Sequence, residues 1–90
     1  MNIEQEIARR IAPLSPQVFE FGDDSHLHVG HAGNRGGGHY SMLIASEQFD
    51  GVSRLNRQRL VKDALADLFQ NGAIHALSIR AFTPNEYFNR

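Results

Sequence analysis

The chain has 90 residues, of which 41% are hydrophobic and 21% charged, with a formal net charge of −1 and no cysteine. This length allows one small domain, and the lack of cysteine excludes disulfides, thiolate catalysis and cysteine-rich zinc sites. The near-neutral charge argues against strong nonspecific binding to nucleic acid. No apolar run is long enough to span a membrane, and the amino terminus does not resemble a secretory signal. We therefore expect a cytoplasmic protein with no membrane partner.

The first half of the chain predicts a helix followed by two strands. Spacings of four, four and three residues place one apolar stripe on a helix, formed by Ile3, Ile7, Ile11 and Leu14, with Pro13 and Pro16 on either side of its end. Residues 18–21 and 40–46 are apolar runs of strand length. We expect these two strands to pair antiparallel across a long connection, and a loop of this length in so small a domain is usually functional or mobile.

The second half predicts two helices, a strand and a last short helix. Ser53 is a candidate cap for a short helical turn, and the apolar positions between residues 60 and 68 predict an amphipathic helix that ends at Asn71-Gly72. A strand follows from Ile74 to about Phe82. Residues 83–86 then have the pattern of a capping box with proline at the first helical position.

This order of elements predicts one α+β domain over residues 1–90, with a three-stranded sheet and helices on one face. Along the third strand, His75 has the parity of Leu77, Ile79 and Ala81, which we expect on the core face. His75 stands at the start of that strand, however. We therefore expect it at a rim of the sheet, half-buried and still reachable.

Four of the five histidines lie in the connection between the first two strands: His26, His28, His31 and His39. Imidazole is the commonest metal ligand among side chains. In a chain without cysteine, a metal must be held through nitrogen or oxygen, or shared with a partner that brings sulfur. The alternative is that these histidines are ordinary polar residues of a loop that binds no metal. No helix fixes their positions, and no HExxH pattern is present.

Four basic residues lie within nine positions that contain no acidic residue: Arg54, Arg57, Arg59 and Lys62. Such a segment at the start of a helix can contact phosphates, or the acidic groups of a partner protein or of glutathione. It is also typical of a solvated helix face, with some arginines paired to acids such as Asp50 and Asp63. No serine has a recognisable nucleophile motif around it, so we expect no enzymatic activity.

Three stretches of the chain resemble the BolA family. They are Asp24-Ser25-x-x-His28 through His39-Tyr40, the run from Phe49-Asp50-Gly51 to Val61, and Ile74-His75-Ala76-Leu77-Ser78-Ile79 followed by Thr83-Pro84. One departure is Gln58, where the family commonly has histidine between two arginines. The resemblance implies a single BolA-like domain with a fold related to the type II KH arrangement.

The resemblance also implies a partner and a shared cofactor. BolA proteins pair with monothiol CGFS-type glutaredoxins and share a [2Fe-2S] cluster with them, the glutaredoxin cysteine and glutathione supplying the other ligands. His75 matches one family ligand. His28 is the best match for the second family ligand, and His31 and His39 are the alternates. We expect no cluster in the isolated chain, which we predict to be a monomer or a weak homodimer.

Two functions follow from this resemblance. The leading hypothesis is an adaptor in iron-sulfur trafficking or in iron and stress regulation. The alternative is a DNA-binding transcriptional regulator that uses the helix-turn-helix-like basic segment, Arg54, Arg57, Arg59 and Lys62. The first requires two histidines within reach of one iron, whereas the second requires exposed cations on the helix.

Overall fold

The computed structural model describes residues 2–25 and 38–89. In chain order the elements are helix α1 (Ile3–Ile11), strand β1 (Val18–Asp23), strand β2 (Gly38–Ala45), helix α2 (Arg54–Ala64), helix α3 (Ala66–Gln70), strand β3 (Ile74–Phe82) and helix α4 (Pro84–Phe88). Two short 3₁₀ turns follow α1 and β2. The predicted order of helices and strands is confirmed.

The three strands form one mixed sheet in the order β1-β2-β3. β1 runs antiparallel to β2, with Val18 opposite Ala45 and Asp23 opposite Tyr40, which confirms the predicted hairpin. β3 runs parallel to β2, which α2 and α3 make possible because a parallel partner requires a crossover connection. The predicted α+β class is confirmed. Because β2 and β3 are parallel, both strands begin at the same end of the sheet.

A single hydrophobic core holds the helices on the sheet. On the helical side, the fully buried side chains come from α1, the turn after β2, α2, α3 and the break between α2 and α3: Ile7, Ile11, Phe49, Val61, Leu65 and Leu68. They pack against Met42 and Ile44 of β2 and against Ile79 and Ala81 of β3. The apolar stripe predicted for the first helix therefore forms the contact between that helix and the rest of the domain.

The predicted long helix is interrupted at Leu65, between α2 and α3. The N–H of Leu65 is shared between the carbonyl of Val61 at 3.2 Å and that of Lys62 at 3.1 Å, a bifurcated bond that tightens the turn. Ser53 caps α2 directly, accepting the N–H of Asn56 at 3.2 Å, rather than a separate preceding turn. The prediction of Ser53 as a cap is thus confirmed, but the expected division into a short turn and one long helix is wrong: α2 runs from Arg54 to Ala64, and the break lies at Leu65.

The predicted capping box of the last helix is confirmed. Thr83 Oγ1 accepts the backbone N–H of Glu86 at 3.1 Å, and Glu86 Oε1 accepts the N–H of Thr83 at 2.8 Å. Pro84 occupies the first turn, where its missing N–H costs nothing. This box matters for the whole domain because Glu86 has a second partner in α2.

Arg57 ties three elements together from a buried position. Its Nη1 donates to Glu86 Oε1 at 2.6 Å and to the carbonyl of Ala81 at 3.2 Å, and its Nε donates to the carbonyl of Val52 at 2.9 Å. Only 6% of the residue is exposed. The hydrogen bond from Arg57, together with that from the N–H of Thr83, lowers the pKa of Glu86 to about 2. Arg57 therefore joins α2 to β3 and α4.

Arg57→Ala should destabilise the domain by about 2–4 kcal/mol, because it removes the guanidinium that pairs with the Glu86 carboxylate and donates to two backbone carbonyls. Urea unfolding monitored by circular dichroism measures this. Arg59→Ala, on the exposed side of the same helix, is the matched control and should change the free energy of unfolding by less than about 0.5 kcal/mol. Equal effects of the two substitutions would contradict the role assigned to Arg57.

Glu86→Gln should weaken the acid dependence of stability. The ordinary pKa of a glutamate carboxyl is 4.5, whereas the pKa of Glu86 in the fold is about 2. The charged Glu86 carboxylate therefore contributes its full stabilisation to the folded state above pH 4.5, and this stabilisation is lost as the pH falls through 2. The variant should be less stable than the wild type above this window and should lose less stability within it. Urea titrations at several pH values test this, with Glu4→Gln on α1 as control. A wild-type slope in Glu86→Gln would rule the linkage out.

Candidate functional site

Two of the five histidines lie beside each other at the end of the sheet where β2 and β3 begin. His39 is the second residue of β2 and His75 the second of β3. The centroids of their imidazole rings are 4.9 Å apart, and the ring planes are inclined by 45°. The parallel pairing therefore brings together two residues that are 36 positions apart in the sequence.

A one-residue irregularity in β3 determines where His75 lies. Gly38 pairs with Ile74 and His39 with Ala76, so that His75 is the extra residue between two registered pairs. Ile74 is 1% exposed and belongs to the core, whereas His75 is exposed. The expectation that His75 is half-buried on the face of Leu77 is wrong, because the extra residue breaks the alternation of the strand.

The backbone of His39 is held by the end of β1. Its N–H donates to Ser25 Oγ at 3.1 Å, and its carbonyl accepts the N–H of Asp24 at 2.8 Å. Ser25 is in turn fixed by its own N–H, which donates to Asp23 Oδ1 at 2.9 Å. The imidazole of His39 is thus carried by a short hydrogen-bonded network and is half-buried beside the exposed His75.

Gly38 is needed for this arrangement. A Cβ at this position would overlap the ring of Tyr40, which lies over the glycine and packs against Phe21 at 5.4 Å between centroids. Any larger residue would push the ring away and shift the start of β2 with it. In the sequence, Gly38 cannot be distinguished from the neighbouring glycines, since its crowding depends on the position of the Tyr40 ring.

The separation of the two rings matches that of two imidazoles bound to one metal ion. With metal–nitrogen bonds of about 2.0–2.1 Å and tetrahedral geometry, two rings on one metal ion have centroids about 5 Å apart. The separation of 4.9 Å agrees with this value. Within residues 2–25 and 38–89, no group of three or more histidine, aspartate or glutamate side chains is placed to hold a metal ion. A metal bound at this pair would therefore have at most two ligands from the described residues and would need others from elsewhere.

Two predicted ligands, His28 and His31, lie outside the described residues. The expected convergence of His28 with His75 is therefore not tested. Of the histidines proposed as the second ligand, the structure brings His39 to His75. The sequence had ranked it as an alternate because the family pattern places this ligand in the loop.

The predicted basic segment divides into a buried and an exposed part. Arg54 has 72% of its side chain exposed, with Nη2 3.8 Å from Glu86 Oε2. Arg59 and Lys62 are also exposed, and Arg59 donates to Asn56 Oδ1 at 3.2 Å. Arg57 does not join this surface, because its guanidinium is already bound to Glu86 and to backbone carbonyls. Three of the four predicted cations remain available to a partner.

No helix in the described part of the chain has both the length and the apolar composition needed to cross a bilayer.

Comparison with known proteins agrees with this arrangement. SufE-like protein 1 of Arabidopsis thaliana is 37% identical over 92 residues, which cover 96% of this chain and 24% of that protein. Mouse BolA-like protein 1 is 39% identical over 74 residues, 82% of this chain and 52% of the relative. The chain thus spans about a quarter and about half of the lengths of these two relatives.

A solved structure and a family model extend the comparison. The BolA domain of SufE1 from Arabidopsis thaliana superposes with a TM-score of 0.80 at 37% identity, with 96% of both chains covered. The family model described as BolA-like protein matches residues 11–86. This match includes every strand, α2, α3 and both histidines of the pair. The chain belongs to the BolA family.

Proposed function

We propose that the protein is a non-enzymatic adaptor that shares a [2Fe-2S] cluster with a monothiol CGFS-type glutaredoxin, in iron-sulfur trafficking or in iron and stress regulation. The observation that carries the proposal is the pairing of His39 with His75, 4.9 Å apart between ring centroids. Membership of the BolA family supports it, as does the resemblance to a protein named SufE-like. His39 is the second ligand that this proposal favours.

The donor chemistry supports an unequal sharing of ligands. A [2Fe-2S] cluster has four ligand positions, usually filled by thiolates, and this chain has no cysteine. His39 and His75 would fill two positions, and the glutaredoxin cysteine with glutathione would fill the others. Replacing two thiolates by imidazoles raises the reduction potential. Because only neutral imidazole binds a metal, ligation by this chain weakens as the pH falls.

The two histidines have different parts in this proposal. His75 is exposed at the rim of the sheet and can reach towards a docked protein. His39 is half-buried, and its backbone is fixed by Ser25 and Asp24, so it orients the site from within. The extra residue in β3 places His75 outside the core. Inside the core, its ionisable ring would lose its solvation.

Substitution of either histidine should change the visible spectrum of the mixed complex. The protein is mixed with a CGFS glutaredoxin, glutathione and an iron-sulfur source, and the heterodimer is isolated by size exclusion. In His75→Ala and His39→Ala we expect a shift in visible absorption and circular dichroism and faster loss of the cluster, since an imidazole ligand is replaced or lost. His28→Ala, His31→Ala and the control His26→Ala should retain the wild-type spectrum.

An unchanged spectrum in His75→Ala would reject the shared ligation. A change in His28→Ala or His31→Ala with none in His39→Ala would keep the adaptor and move the second ligand into the loop. Thermal unfolding of each variant without the cluster separates these effects from a loss of fold.

DNA binding remains the alternative. Its support is the exposure of Arg54, Arg59 and Lys62 along α2. Arg57→Ala is not a suitable test, since it removes a buried tie between α2 and α4. Arg59→Gln is suitable, because binding to a duplex should weaken with this substitution and with added salt, and should not depend on His75.

A further inference from the structure

A groove of about 270 Å³ lies between the start of α2 and the outer edge of β3. Its apolar lining comes from Leu55 of α2 and from Ile79, Ala81 and Phe82 of β3. Leu55 is 60% exposed, although it stands beside the core. The groove is separate from the histidine pair, because the four steps of extended strand from His75 to Ile79, the groove residue of β3 nearest to it, span about 13 Å.

The groove carries positive charge on both sides. Arg54 lies on the α2 side with 72% of its side chain exposed. Arg80 lies on the β3 side, also exposed, with its Cζ 5.6 Å from the centroid of the Phe82 ring. Of the described residues that line the groove, none is acidic. Glu86 approaches Arg54, but its carboxylate is already bound by Arg57.

The edge of β3 is closed to an added strand here. Gln58 Nε2 donates to the carbonyl of Ile79 at 2.6 Å, and Arg57 Nη1 donates to that of Ala81 at 3.2 Å. These carbonyls point away from β2 and would be the acceptors for a new strand. A ligand in the groove must therefore be recognised through its side chains.

From these observations we propose that the groove binds an acidic segment of a partner protein that inserts one large apolar side chain. The apolar side chain would cover Leu55 and Phe82, and carboxylates on either side would pair with Arg54 and Arg80. Charge complementarity selects this ligand, since two guanidinium groups flank an apolar floor. The inference does not depend on the cluster, and the histidine end stays free while the groove is filled.

Nuclear magnetic resonance of the ¹⁵N-labelled protein tests the proposal. The probe is a synthetic peptide of glutamate and alanine with one central leucine. We expect saturable shifts at Leu55, Gln58 and Phe82, and none at His75. Replacing the central leucine by alanine, or glutamate by lysine, should abolish them, because the peptide loses its apolar anchor or its charge complementarity.

Variants of the protein give the matched comparison. Arg80→Gln should weaken peptide binding about fivefold, and Leu55→Ala about tenfold, as expected for loss of one exposed ion pair and one apolar contact. Arg59→Gln, on the same helix but outside the groove, should bind as the wild type does. Leu55→Gln replaces Leu55→Ala if thermal unfolding shows a damaged fold.

Three results would overturn the inference: no saturable shift at millimolar peptide, shifts confined to Arg59 and Lys62, or equal binding by Leu55→Ala and the wild type. A DNA duplex that shifts the groove residues at lower concentration than the peptide would also overturn it, and would assign the groove to nucleic acid. Because no glutaredoxin is present, a negative result leaves the shared ligation by His39 and His75 unaffected.

Discussion

The parallel pairing of β2 with β3 is the constraint on which the histidine end depends. Both strands begin at the same end of the sheet, so their second residues, His39 and His75, are neighbours. A regular register would leave the alternation of β3 intact and keep His75 in phase with the core residue Ile79. One extra residue after Ile74 changes the phase, so that Ile74 is buried and His75 is exposed. The same irregularity thus places Ile74 in the core and exposes the imidazole of His75.

Much of the fold could be predicted because its signals are local. The isoleucine stripe of α1 and the capping box at Thr83 each involve residues within one or two helical turns, and the structure has both where the sequence placed them. The break at Leu65 could not be predicted, since both halves of the helix continue the same apolar pattern. It is visible only as a shared backbone hydrogen bond.

The candidate site was less predictable because its determinants are distant in sequence. Arg57 and Arg59 lie in the same basic stretch of sequence, yet Arg57 is buried and Arg59 is exposed. They differ because the Glu86 carboxylate, 29 residues after Arg57, binds the guanidinium of Arg57. Similarly, the family pattern indicates His75 and a loop histidine, but the choice of His39 depends on the strand register. Gly38 acquires its importance only because the Tyr40 ring lies over it.

A donor pair of this kind makes the proposed function depend on association. Two imidazoles, one of them exposed, are too few to hold a four-ligand cluster alone, so any affinity for it is realised only with the ligands of a second protein. Linkage then requires that cluster and partner each strengthen the binding of the other by the same factor. A domain in which the Arg57–Glu86 pair joins α2 to α4 can carry both imidazoles at one end of the sheet, with His75 exposed and His39 half-buried, because the contacts that hold these elements together lie elsewhere.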